Sequence, residues 1–239
     1  MSELIVHTQG GQYATLDDLK SVPLPEETDS YIPVSHFDLA VNLAKVAKDL
    51  LNGYFFHKSQ YGLARDGRQM FGVHTYQLDS EEMGLSIGFR NSYDKSMSVG
   101  IAIGASVFVC DNLAFTGDIT VMRKHTLNVW ADLEETIVTT IYRSQHNFQR
   151  IREDADEMKC QGVENDEAFK IMGLLFGKNM VTPRQLPVLK QEWLRPTYEE
   201  FLPRSKWSLY NAATEALKSC PPNKILEKHI QLHQFFSAN

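Results

Sequence analysis

The sequence predicts an α+β protein: an antiparallel sheet of about five strands flanked by an N-terminal helix and a long helix, with a helical C-terminal part. Three observations predict it. None of the nine prolines falls between positions 34 and 182. Nine of the fourteen glycines lie between Gly53 and Gly117. Prolines punctuate loops and helix starts, whereas glycines among alternating apolar residues mark hairpins and bulges. The third is a change in hydrophobic period, from helical before Gly53 to two-residue alternation after it, and back to helical near residue 127. These shifts divide the chain into an extended arm (1–33), a core (34–165) and a helical region (166–239).

The elements follow in order. The arm is predominantly acidic, with one short strand expected near Tyr13-Ala14-Thr15-Leu16. Ser35 is a good N-cap with Asp38 three residues on, and Leu39, Leu43, Val46 and Leu50 fall on one helical face that Asn52-Gly53 ends. Tyr54–Leu63 and Met70–Leu78 form a hairpin around Asp66-Gly67. Past an acidic loop (Asp79, Glu81, Glu82) come Gly84–Arg90, the polar turn Asn91–Ser96, Met97–Val109 and Ala114–Met122. Their short connections make the pairing antiparallel.

A helix from about 127 to 160 follows, roughly 50 Å long at 1.5 Å per residue. Its apolar seam is Trp130, Leu133, Ile137, Ile141, Phe148, Ile151, Ala155 and Met158. The seam either packs on the protein's own sheet or pairs with a second copy. Shorter helices are expected around 166–176, 182–193, 197–202, 206–218 and 222–236.

Composition removes several classes of function. The net charge is -6, with 43% hydrophobic residues, which excludes global disorder and a uniformly basic coat. No apolar run reaches the roughly 18 residues a bilayer needs, and Met1–His7 lacks the features of a secretory signal. Cys110, Cys160 and Cys220 are odd in number and form no C-x-x-C pair, which argues for reduced thiols in a cytoplasmic protein.

Enzyme motifs are equally scarce. Gly100-x-x-x-Gly104 lacks the Gly-Lys-Ser/Thr of a phosphate loop, and His229 with His233 lacks the glutamate and third ligand of a zinc site. Cys110 reads as a buried, inert thiol, and Glu134-Glu135 and the Glu153–Glu157 cluster as solvated helix surface. No cofactor, metal or catalytic residue is assigned, and the chain is read as more a binding protein than an enzyme.

The segment 90–96 is the least ordinary. Arg-Asn-Ser-Tyr-Asp-Lys-Ser joins two apolar strands. Asn91 and Asp94 suit a plain turn, yet Arg90, with Asp94 placed to pair with it, could clamp a phosphate. Lys58, Arg65, Arg68, Lys95, Arg123 and Lys124 are the other cations expected on that side, with Asn91 beside them. Tyr54, Phe55, Phe56, Tyr61 and Tyr93 interleave with them as stacking candidates. Aromatic and basic groups on one sheet surface are what single-stranded nucleic acid needs. The same residues would equally make an ordinary core with a few surface charges.

Gly88-Phe89-Arg90-Asn91-Ser92-Tyr93-Asp94-Lys95-Ser96, then Gly104 to Cys110-Asp111-Asn112-Leu113, then Arg123-Lys124-His125-Thr126, together resemble the phage/plasmid-like domain-of-unknown-function 932 family. Asp66-Gly67-Arg68 with Phe71-Gly72, and Trp207–Glu215, support the likeness over about 30–236. The chain departs from the family pattern at Tyr93, where histidine is commoner, and at Asp111, where serine is. The resemblance implies a mobile-element setting and carries no settled activity. The leading expectation is a nucleic-acid-binding accessory protein acting on single-stranded DNA in recombination or replication, self-associating as a homo-oligomer. The order of elements also resembles the core of single-strand annealing proteins, by topology alone. The alternatives are a non-catalytic anti-defence protein with a host protein partner, and a metal-dependent nuclease or hydrolase using Asp94 and His125.

Overall fold

The computed structural model describes residues 11–78, 82–108, 112–123, 129–221 and 224–238, the backbone alone over 116–123. Six strands form one antiparallel sheet in sequence order: β1 (Gly11–Ala14), β2 (Phe55–Ala64), β3 (Gln69–Gln77), β4 (Met83–Ser92), β5 (Val99–Val107) and β6 (Asn112–Arg123). The helices are α1 (Leu16–Ser21), α2 (His36–Leu50), α3 (Val129–Cys160), α4 (Asn165–Gly177), α5 (Leu186–Leu194), α6 (Lys206–Leu217) and α7 (Ile225–Ser237), with a 3₁₀ turn at Glu199–Phe201. The α+β class holds. The sheet has six strands because the lead-in strand joins it, pairing Gly11 with Ala64 and Ala14 with Tyr61. That strand stops earlier than the sequence suggests. Thr15 caps α1 through a reciprocal bond with Asp18, so Leu16 is already helical.

Pairing fixes which residues share a face. Leu85, Ile87, Phe89 and Asn91 of β4 project to one side, with Ala105, Ile103 and Ile101 of β5 opposite them. The Asn91 side chain reaches Val34 and His36, so α2 begins on this side. The long helix α3 lies across β5 and β6 and packs against α2. Its seam of Leu133, Ile137, Ile141, Phe148, Ile151, Ala155 and Met158 is buried in the core, so packing within the chain accounts for it. On the other side Gly88 faces Phe115 and Leu226, and α7 runs along β6 with His229 Nδ1 donating to the Leu113 carbonyl at 2.7 Å.

Among the described residues no helix is long and apolar enough to cross a membrane.

Candidate nucleic-acid interface

The turn joining β2 to β3 is tight. Arg65, Asp66 and Gly67 all take positive φ (52°, 56° and 81°), and the Arg68 amide closes back on the Arg65 carbonyl at 3.1 Å. Gly67 suits this conformation without a Cβ penalty. The chain there leaves Arg65 and Arg68 exposed, with Arg68 3.6 Å from the Asp66 carboxylate.

The turn joining β4 to β5 is built by its own side chains. Ser92 Oγ both donates to the Met97 carbonyl and accepts from the Met97 amide, each at 3.0 Å. Asp94 accepts from the Ser96 amide at 3.0 Å, from the Ser96 hydroxyl, and from Gln69 Nε2 at 3.1 Å. Burial pushes the Asp94 carboxyl up, but these bonds outweigh it and hold it below the usual carboxylate range. Lys95 has φ of 60° and sets its ammonium 4.3 Å from the centre of the Tyr31 ring. The Tyr93 amide donates to the Arg68 carbonyl at 2.7 Å, which sews the two turns together.

Beneath them lies a buried polar knot. Asn91 Nδ2 donates to the Val34 carbonyl and lies 3.0 Å from His36 Nδ1. Because the amide nitrogen must face that carbonyl, His36 Nδ1 is the acceptor. His36 Nε2 lies 3.0 Å from the Gly67 carbonyl and is therefore the protonated nitrogen. The Tyr93 ring stacks on His36 at 3.8 Å with planes 3° apart, and its hydroxyl accepts the His36 amide at 2.8 Å. Burial raises the Tyr93 phenol.

This geometry revises the residue assignments. Arg90 is 7% exposed, and its Nη1 meets both Glu227 carboxylate oxygens at 2.6 and 2.7 Å. It clamps α7 to the sheet through Glu227, while Asp94 is engaged by Ser96 and Gln69. Asn91 and Tyr93 are buried in the knot. Tyr61 is buried against His74 and Phe89. None of these four presents a surface to a polymer. Tyr54 is half-buried, with its ring edge-on to Phe148. Phe55 and Phe56 are 62% and 59% exposed, but they open β2, nine or ten residues from Arg65, roughly 30 Å along the strand. Lys58 sits at that far end too, paired in register with Thr75.

Arg65, Arg68 and Lys95 are exposed together at one end of the sheet. The Arg123 backbone, paired with Val99, ends at the same edge. Its side chain, Lys124, His125, Cys110 and Asp111 lie outside the described residues. Two groups there escaped the sequence reading. Tyr13, 46% exposed on β1, pairs with Gly62, three residues from Arg65. Lys20, in the last turn of α1 with its ammonium 5.5 Å from the centre of the Phe37 ring, lies two residues before Val22, which covers Gly67. Neither carried a signal, because an isolated tyrosine in a weakly patterned arm marks no motif.

Metal chemistry finds no assembled ligand set among the described residues: no group of three or more His, Cys, Asp or Glu residues converges there. His229 and His74 are buried, which pushes both down to about 4. His233 bonds Asp154 at 2.9 Å. A cavity of about 580 Å³ opens at the far end of the sheet, between Met83, Val107, Phe108, Phe201 and Trp207, with the Lys159–Glu82 ion pair beside it.

No curated protein and no solved structure matches the chain. A family model does, over residues 29–227, which take in α2, the strands β2 to β6, the long helix and the start of α7. The matched region holds the hairpin, the knotted 90–96 turn and the Arg90–Glu227 clamp. The chain therefore belongs to the family described as a domain of unknown function, DUF932.

Proposed function

We propose that this chain is a nucleic-acid-binding accessory protein of a phage or plasmid, engaging single-stranded DNA through the end of the sheet where β2 meets β3 and β4 meets β5. The observation that carries the reading is the gathering of Arg65, Arg68 and Lys95 on two turns sewn together by a backbone bond, all exposed. The supporting knot is buried and hydrogen-bonded, so the cations sit on a rigid base, which lowers the ordering cost of binding. Tyr13, exposed on β1 and paired with Gly62 three residues before Arg65, is the ring on which a base can stack in this reading.

The test is fluorescence anisotropy with a labelled oligonucleotide at low salt, comparing the natural chain with an Arg65→Ala, Arg68→Ala, Lys95→Ala triple variant. A complex that the triple variant loses supports the reading. No complex with either single or double strands overturns it.

A second reading, a protein that blocks a host factor, draws on a different surface. Phe169 and Phe176, seven residues apart on one face of α4, and Val188 of α5 are exposed apolar groups suited to a protein partner. A stoichiometric host partner recovered with the natural chain, and lost on Phe169→Ser and Val188→Ser replacement, favours this reading. No such partner counts against it.

A further inference from the structure

A second concave feature is built by the C-terminal helices. It is a cavity of about 290 Å³ between α4 and α7, near the lower limit of roughly 300 Å³ for small-molecule sites. Ile171 and Leu174 of α4 and Phe235 of α7 give it apolar walls, and Lys178, Lys206 and Glu167 also line it. Its frame is rigid: the Val163 amide donates to the Arg204 carbonyl at 2.9 Å, and the Lys206 amide to the Gln161 carbonyl at 2.8 Å.

Lys206 is unusual. It is 9% exposed, and its ammonium donates to the neutral amide oxygen of Gln161 at 2.9 Å. That amide is oriented from behind, since Gln161 Nε2 donates to Glu157 at 3.2 Å. Among the described residues no ion pair joins Lys206 or Lys178 to a carboxylate. The Lys178 ammonium stands 5.3 Å from the centre of the Phe235 ring. An ammonium has three donors, and one bond to an amide leaves this partly buried charge without a counter-ion. Burying a charge that way is costly, and an arriving anion repays it.

We propose that this cavity binds a small carboxylate bearing an apolar group, with Lys206 and Lys178 as its ammonium partners and Ile171, Leu174 and Phe235 around its tail. The carboxylate takes the donors of Lys206 that Gln161 leaves open. A free aliphatic acid and the leucine end of a peptide share this chemistry.

The test is isothermal titration of the full chain with octanoate, octanamide, and a short peptide ending in leucine as free acid or amide. We expect saturable binding of at least one free acid with a Kd below about 1 mM, and the matching amide weaker by about tenfold or more. Binding of the peptide acid but not octanoate assigns the site to a chain terminus; the reverse assigns it to a free acid. Lys206→Met keeps the apolar stem and should lose about tenfold in affinity while melting no lower than the natural chain. If Lys206→Met does not fold, Lys178→Met decides, with a loss of about threefold or more expected. Equal binding of acids and amides, no saturable binding of any acid up to about 10 mM, or folded lysine variants that bind like the natural chain would overturn the proposal.

Discussion

Arg90 and Arg65 carry the same guanidinium into opposite environments, and their variants should separate cleanly. Arg90 is buried against the partly exposed Glu227 and joins α7 to β4, so Glu227→Ala removes a charged hydrogen-bond partner from the guanidinium and should cost about 1.5–3 kcal/mol in urea denaturation. The same variant should leave oligonucleotide binding unchanged. Arg65→Ala, on an exposed turn, should shift stability by less than about 0.5 kcal/mol and weaken binding. The local sequence does not distinguish the two arginines, because both follow an apolar strand. What separates them is the partner helix arriving from residue 225 onward, and no local pattern announces that contact. Asn91 is similar. It is suited to a turn by composition, but its work is to hold Val34 and His36. Asn91→Ala should destabilise by roughly 2 kcal/mol, since it strips partners from buried groups.

At the scale of elements, the hairpins, α2 and the long helix were legible because period, caps and turn glycines agree there. Ser35, Asn52-Gly53 and Asp66-Gly67 each act where their chemistry predicts. The missed element is α1, six residues long, in a segment too short for a period to show. Sheet contacts also set tolerances that the pattern hides. A Cβ on Gly72 would lie 2.4 Å from the Phe89 ring, and one on Gly88 would lie 2.5 Å from the Phe115 ring. Gly72→Ala should therefore cost about 1–3 kcal/mol, read as a lowered denaturation midpoint.

Buried histidines on opposite sides of the sheet give the fold a pH dependence. His74 on β3 and His229 on α7 are both held down to about 4 by burial, whereas each titrates near 6.5 when unfolded. Between those values the unfolded chain binds more protons than the native one. Stability is fully present above about pH 6.5 and falls as the pH drops toward 4, by up to about 1.4 kcal/mol per pH unit for each histidine. Thermal melts should show Tm falling from pH 7 to pH 5. A His229→Gln variant that folds should show a shallower fall, and a Tm independent of pH over this range would contradict the assignment.

The whole molecule explains why the candidate site was only partly readable. A sheet whose sides are taken by α3 with α2 and by α7 leaves only its ends open, and the sequence could not say which cations the helices would claim. Cations of the β2–β3 and β4–β5 turns remain outside, while the aromatics opening β2 lie at the other end. Binding at the turn end should be chiefly electrostatic, with Tyr13 as its stacking contribution. Tyr13→Ala should weaken single-strand binding by about 1–3 kcal/mol and leave duplex binding unaltered.

The most direct measurement is the salt dependence of single-strand affinity, read by anisotropy between about 50 and 200 mM salt for the natural chain and the Arg65→Ala, Arg68→Ala, Lys95→Ala variant. Three phosphate contacts predict a slope of log affinity against log salt near -2, and roughly a 20-fold loss across that range. The variant should bind weakly, with a slope near zero. A natural chain whose binding ignores salt, or a variant with the full slope, would contradict the claim that these two turns carry the interface.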